Sequence, residues 1–207
     1  MKDLLLYVAD ADAEAFIRSM LNKPQALGIR SVTFDIERHP LRDSGMVQSG
    51  AELTRMKKGQ YKKALLAWDY HGSGRDHKRT PEDLRTDIQR KLDTYTWSEN
   101  NAVIIFVPEL EQWLWFCENA MLAYYGITPV VLQAWLGERS EKLRKSVDDL
   151  KSEQPKELFE FVVRERLKRT ISPRDFGELG KCAGVSGLMA CVSFRSIVEK
   201  LQEWFPQ

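Results

Sequence analysis

Short apolar and β-branched runs alternate with longer segments of helical periodicity through the first two thirds of the chain. This alternation restricts the fold to α/β units built on a parallel sheet. Four runs read as strands: 4–9 (LLLYVA), 31–37 (SVTFDIE), 64–68 (ALLAW) and 102–107 (AVIIFV). Two of them are almost continuously apolar, as strands covered on both faces are. Helical patterns fall between them at 12–21, at 51–58 and from Thr80-Pro81 onward. At that last boundary Thr80 suits the N-cap, Pro81 the first helical position, and Glu82 and Asp83 the positive end of the helix dipole. After the fourth strand Pro108 leads into a helix in which Leu110, Trp113, Leu114 and Cys117 recur at helical spacing until Gly126 stops it.

From Thr128 onward the patterns are helical only: VVLQAWL, ELFEFVVRERLKR and FRSIVEKLQEWF, with Ser172-Pro173 opening a further short helix. The expected architecture is therefore a four-stranded, mostly parallel sheet flanked by helices over 1–126, with a helical extension over 127–207 packed on it. Trp204 and Phe205 would seal that extension against the sheet. Their exposure would point instead to a homo-oligomer contact.

Composition excludes several classes. Of the 207 residues 43% are hydrophobic and 10% aromatic, too many for a disordered chain, and no apolar run nears the ~20 residues of a membrane span. The opening stretch MKDLLLYVADADAEAF meets acidic residues at once and has no small-residue cleavage site, so it reads as a strand and not as a signal peptide. Three cysteines, far apart and without CxxC spacing, suit a reducing compartment, and the expected location is the cytoplasm. Lys plus Arg number 31 against 30 Asp plus Glu, a net charge of +1, so any affinity for nucleic acid must come from local arrangement.

Ligands of open parallel sheets bind beyond the carboxyl ends of the strands, and those positions are acidic here. Asp10, Asp12 and Glu14 follow the first strand, Asp69 ends the third within AWDYHGSGRD, and Glu109 and Glu111 follow the fourth. Carboxylates gathered at one edge repel unless a cation neutralises them, and oxygen-only clusters suit Mg²⁺ or Mn²⁺. The competing structural reading is that Asp10 or Asp12 caps the first helix and that Glu109 and Glu111 complement the start of the fourth.

The AWDYHGSG segment, the acids after strand one and FVPELEQWLW after strand four together resemble the Toprim-like fold of topoisomerases, primases and overcoming-lysogenization-defect nucleases. The chain is more closely similar to a Toprim-like family of bacterial phage-defence-associated proteins, including components of methylation-associated defence systems. It shares their segment like Pro108 to Trp113 and the closing Trp204-Phe205-Pro206. That resemblance implies a Mg²⁺- or Mn²⁺-dependent nuclease of RNA or DNA in an anti-phage system, working with other defence proteins. Asp10, Asp69 and Glu111 would be the principal ligands and Glu109 a fourth. Asp10 stands where Toprim enzymes have a glutamate, and His71 where they have the second aspartate of a DxD pair. An imidazole is a poor ligand for a hard cation, so His71 is the candidate for proton transfer. The alternative is a non-catalytic subunit that binds nucleic acid or a partner through the same face. A third reading is nucleotide chemistry on a small molecule.

Basic residues flank the acidic loops. Arg75, Lys78 and Arg79 follow Gly72-Ser73-Gly74, and Arg38, His39 and Arg42 follow strand two. Arg42, Arg75, Lys78 and Arg79 are the candidate phosphate contacts. Arg164, Arg166, Lys168 and Arg169 share a helix with Glu160 and Glu165, where intrahelical pairing competes. The glycines lack the P-loop pattern and read as a turn, His77 as solvent-facing, and Trp113 as core.

Overall fold

A computed structural model describes residues 1–207. The apolar runs become β1 (Lys2–Val8), β2 (Phe34–Arg38), β3 (Tyr61–Asp69) and β4 (Asn101–Phe106). They form one sheet in the order β2-β1-β3-β4 with every pairing parallel. Helices α1 (Ala11–Leu21), α2 (Pro24–Leu27), α3 (Arg42–Arg55) and α4 (Pro81–Leu92) connect the strands. Beyond the sheet come α5 (Gln112–Trp115), α6 (Glu118–Tyr125), α7 (Pro129–Leu143), α8 (Val147–Glu153) and α9 (Pro155–Glu160), the last running on into a π-helical turn. Then follow α10 (Pro173–Cys182), α11 (Val185–Leu188) and α12 (Val192–Trp204).

Side chains of a strand alternate between faces, so each strand feeds two cores. Leu4, Leu6, Val8, Leu65, Ala67, Ile104 and Phe106 join a buried cluster that runs on through α1 to the chain end. Leu5, Tyr7, Leu66, Trp68, Val103 and Ile105 join a smaller one with Met46 of α3 and Leu84 and Ile88 of α4. The tail is bound into the larger core. Gly180 lets α10 approach α1 closely, since a Cβ there would stand 2.9 Å from the Phe16 carbonyl oxygen. Ser19 Oγ donates to the Gly177 carbonyl at 2.8 Å across the same contact. Trp113 stacks edge-on against Phe16, Phe106 and Phe194, with centroids 5.5, 4.9 and 5.1 Å away. Phe205 is buried and Trp204 partly buried.

Two helices differ from the sequence reading. The segment after Pro108 is not one helix but two, because Cys117 leaves helical geometry at φ −132°, ψ 43°. Residues two apart do not share a helix face, and the break accompanies burial of both Trp113 and Trp115. The helix expected at 51–58 instead spans Arg42–Arg55. Gly45, Gly50 and two serines weaken its local propensity, and packing on β1 and β3 outweighs them.

Candidate active site at the carboxyl edge of the sheet

The order β2-β1-β3-β4 makes the connection reverse direction between β1 and β3, and the crevice at such a switch point is where open α/β sheets hold ligands. Val8 pairs with Ala67, so Asp10 and Asp69 each lie two residues past the last paired positions of neighbouring strands, which run about 5 Å apart.

Asp10 is the N-cap of α1, its Oδ1 accepting from the N–H groups of Asp12 at 3.1 Å and Ala13 at 3.0 Å. The capping reading of Asp10 therefore holds, and it leaves Oδ2 without a protein partner. Asp69 is held from two directions: its N–H donates to Asp43 Oδ1 at 2.9 Å, and its Oδ1 accepts from the Leu110 N–H at 2.8 Å. Asp69 is half-buried. Glu109 and Glu111 are buried at the start of α5. Glu111 occupies the N-cap position but makes no side-chain cap bond, and its Oε2 is buried with no hydrogen-bond partner. Glu111 therefore stands at the helix start as expected, without a side-chain cap bond.

These acids hold their protons unusually well. Burial, then the charges of Glu111, Asp43 and Asp10, push Asp69 well above the ordinary carboxylate range. Burial pushes Glu111 up to about 7, with Glu109 and Asp10 adding to the shift and Lys156 opposing it. Burial and Asp10 push Asp12 up to about 6. Asp43 is raised by burial with Asp10 adding to the shift, and burial raises Glu109 against the opposing charges of Lys156 and His71. Burial by itself would lower the Lys156 ammonium, but Glu111, Glu109 and Asp69 outweigh it and the net shift is upward. Lys156, on α9, is exposed to solvent and feels the carboxylates through their charge, with no ion pair to any of them within 4.0 Å.

Two members of this group, Asp43 and Lys156, escaped the sequence reading. Asp43 follows strand two and so lies within reach of the strand-end rule, but the helix expected at 51–58 leaves it outside any expected element. Lys156 carries no local signal, since it enters from a distant helix.

The basic candidates separate by their partners. Arg42 lines a cleft of about 600 Å³ beside Asp10. Arg75 and Lys78 are exposed on the loop after β3, where Gly72 at φ +85° and Gly74 at φ +70° make the turn. Arg79 is already engaged, donating to Asp87 at 2.5 Å and to the Asp83 carbonyl at 3.3 Å. His39 is buried: its Nδ1 accepts from the Leu41 N–H at 3.1 Å, so Nε2 carries the proton and donates to Ser49 Oγ at 2.9 Å. Burial lowers its pKa. It is a neutral packing residue, not a cation at the edge. His71 is exposed at the rim, its N–H donating to the Pro108 carbonyl at 3.1 Å. On the tail Arg164 pairs with Glu160 at 3.2 Å and Arg166 with Glu138.

In donor chemistry the edge fits a hard divalent cation: carboxylate oxygens only, one of them buried and unpartnered. As the side chains stand, no three acidic, histidine or cysteine groups converge on one point, so ligation requires carboxylates to rotate inward. No helix is long and apolar enough to cross a membrane. No family model, curated protein or solved structure matches the chain.

Proposed function

We propose that the chain is a Toprim-like phosphodiesterase acting on RNA or DNA, with Mg²⁺ or Mn²⁺ held by Asp10, Asp69, Glu109 and Glu111. The observation that carries this reading is the unpartnered Glu111 Oε2 inside a group of carboxylates with raised pKa values. Lys156 is a single positive charge facing Asp69, Glu109 and Glu111, which leaves the group short of cation. Bound there, the metal would polarise the phosphodiester and stabilise the leaving oxygen. Lys156 would contact a phosphate oxygen brought to the same edge, and Arg42, Arg75 and Lys78 would track the polyanionic backbone from the rim. His71, exposed at the rim, would exchange a proton with the leaving group. The family resemblance extends the proposal to an anti-phage system with further defence proteins as partners.

The test is thermal unfolding with and without MnCl₂ or MgCl₂, run beside cleavage of single-stranded RNA and plasmid DNA. Wild type should gain melting temperature with metal and should cleave, because a ligand of the folded state stabilises it. Asp69→Asn and Glu111→Gln should lose both responses together. A wild type that shows neither sinks the proposal. A second reading, binding without turnover, is favoured by Lys156 as a built-in counter-cation and by His71 in place of a second aspartate. It predicts nucleic-acid affinity that survives Glu111→Gln, with no cleavage in either protein.

A further inference from the structure

We infer that Asp43, which reaches the carboxyl edge from the corner between β2 and α3, is a further carboxylate ligand of the divalent cation, an inference that rests on the metal reading above. β1 ends at Val8, opposite Ala67, and the Tyr70 N–H donates to the Phe106 carbonyl on the β4 side. Alternate residues of a parallel strand face opposite neighbours, so the Asp69 N–H faces the side that β1 has already left. The Asp43 carboxylate fills that place, its Oδ1 accepting from the Asp69 N–H at 2.9 Å. No other residue donates a hydrogen bond to its Oδ2, and no basic side chain pairs with it.

The corner holds that side chain in place at a cost. The Leu41 N–H donates to His39 Nδ1 at 3.1 Å and the Arg42 N–H to the His39 carbonyl at 3.0 Å. Arg42 takes φ +51°, a left-handed conformation that a non-glycine residue keeps only where its surroundings over-determine it. Asp43 follows at once, in the first turn of α3. An orphaned N–H needs an acceptor and not a charge, and a neutral asparagine would satisfy it. A carboxylate adds repulsion instead: Asp69, raised first by burial, is raised further by Glu111, Asp43 and Asp10 in that order. Such a charge is useful where a cation joins the group. Glu111, 6% exposed and with its Oε2 unpartnered, is the strongest of those charges and belongs to the same group from the start of α5.

The test is calorimetric titration of MnCl₂ into the full chain, with melting and hydrogen exchange of the Asp69 amide followed in metal-free buffer. Asp43→Asn should weaken Mn²⁺ binding about tenfold or more. Without metal it should melt at or above wild type, and its Asp69 amide should stay as protected as in wild type, because asparagine keeps the acceptor and removes the repulsion. Glu141→Gln, at an exposed acid on α7, should bind Mn²⁺ as wild type does. If wild type binds Mn²⁺ and Asp43→Asn binds it equally well, the inference fails and the metal reading stands. If wild type binds none, both fail. Equal weakening in Glu141→Gln would reduce the effect to bulk charge, and loss of Asp69 protection in Asp43→Asn would make Asp43 a positioning residue. Either result overturns the ligand role, as does failure of Asp43→Asn to fold, since the charge would then serve the fold itself.

Discussion

At the scale of single residues, Glu111 shows how burial and charge act together. Its proton is held up to about pH 7 in the folded chain against an ordinary value of 4.5. The folded state therefore binds this proton more tightly than the unfolded state does. The associated stability is complete below pH 4.5 and is lost as pH rises through about 7. That gap corresponds to about 3 kcal/mol. In metal-free buffer Glu111→Gln should melt higher than wild type at pH 8 and equal to it at pH 4, as scanning calorimetry would show. A variant no more stable at pH 8 would mean that Glu111 is not strained by its neighbours. Gly45 gives a purely steric case. A Cβ there would stand 2.1 Å from His39 Nδ1, so Gly45→Ala should cost about 3 kcal/mol in urea unfolding. The same change in a His39→Ala background should cost less, with the Leu41 Cβ at 2.8 Å as the remaining obstacle, and additivity of the two would refute the contact with His39.

At the scale of elements, α4 begins where the sequence says it should. Thr80 Oγ1 accepts from the Asp83 N–H at 3.1 Å, and Asp83 Oδ2 accepts from the Thr80 N–H at 3.2 Å. This reciprocal cap is worth about 1 kcal/mol. Thr80→Ala should lower stability by that amount and speed amide exchange in the first turn of α4, with other helices unaffected. Capping is legible in a sequence because it joins residues three apart. The length of α3 was not legible, because packing on the sheet stabilises a segment whose glycines and serines argue locally against a helix.

At the scale of the whole molecule, sheet and tail share one core. The larger buried cluster extends from Leu4 to Phe205, the Arg30 N–H donates to the Phe205 carbonyl at 3.1 Å, and the Arg30 guanidinium lies 5.0 Å above the Phe205 ring. A fragment of residues 1–126 would expose Phe16, Trp113 and one face of β4. It should show no cooperative thermal transition and should bind a hydrophobic dye. A sharp two-state melt of that fragment would show that the tail only decorates a self-sufficient sheet.

What the sequence determined by itself is what depends on neighbours along the chain: four apolar strands, their parallel pairing through intervening helices, the Thr80 cap, and acids at three strand ends. Trp113 was legible as core from its spacing. The sheet pairs Val8 with Ala67 and so sets Asp10 and Asp69 on neighbouring strands, as the switch-point rule for open sheets expects. The tertiary structure also turned His39 inward, engaged Arg79 with Asp87, and brought Asp43 and Lys156 to the acidic edge. Burial and long-range charge made those decisions, and both depend on residues far apart in the chain, which local spacing does not encode.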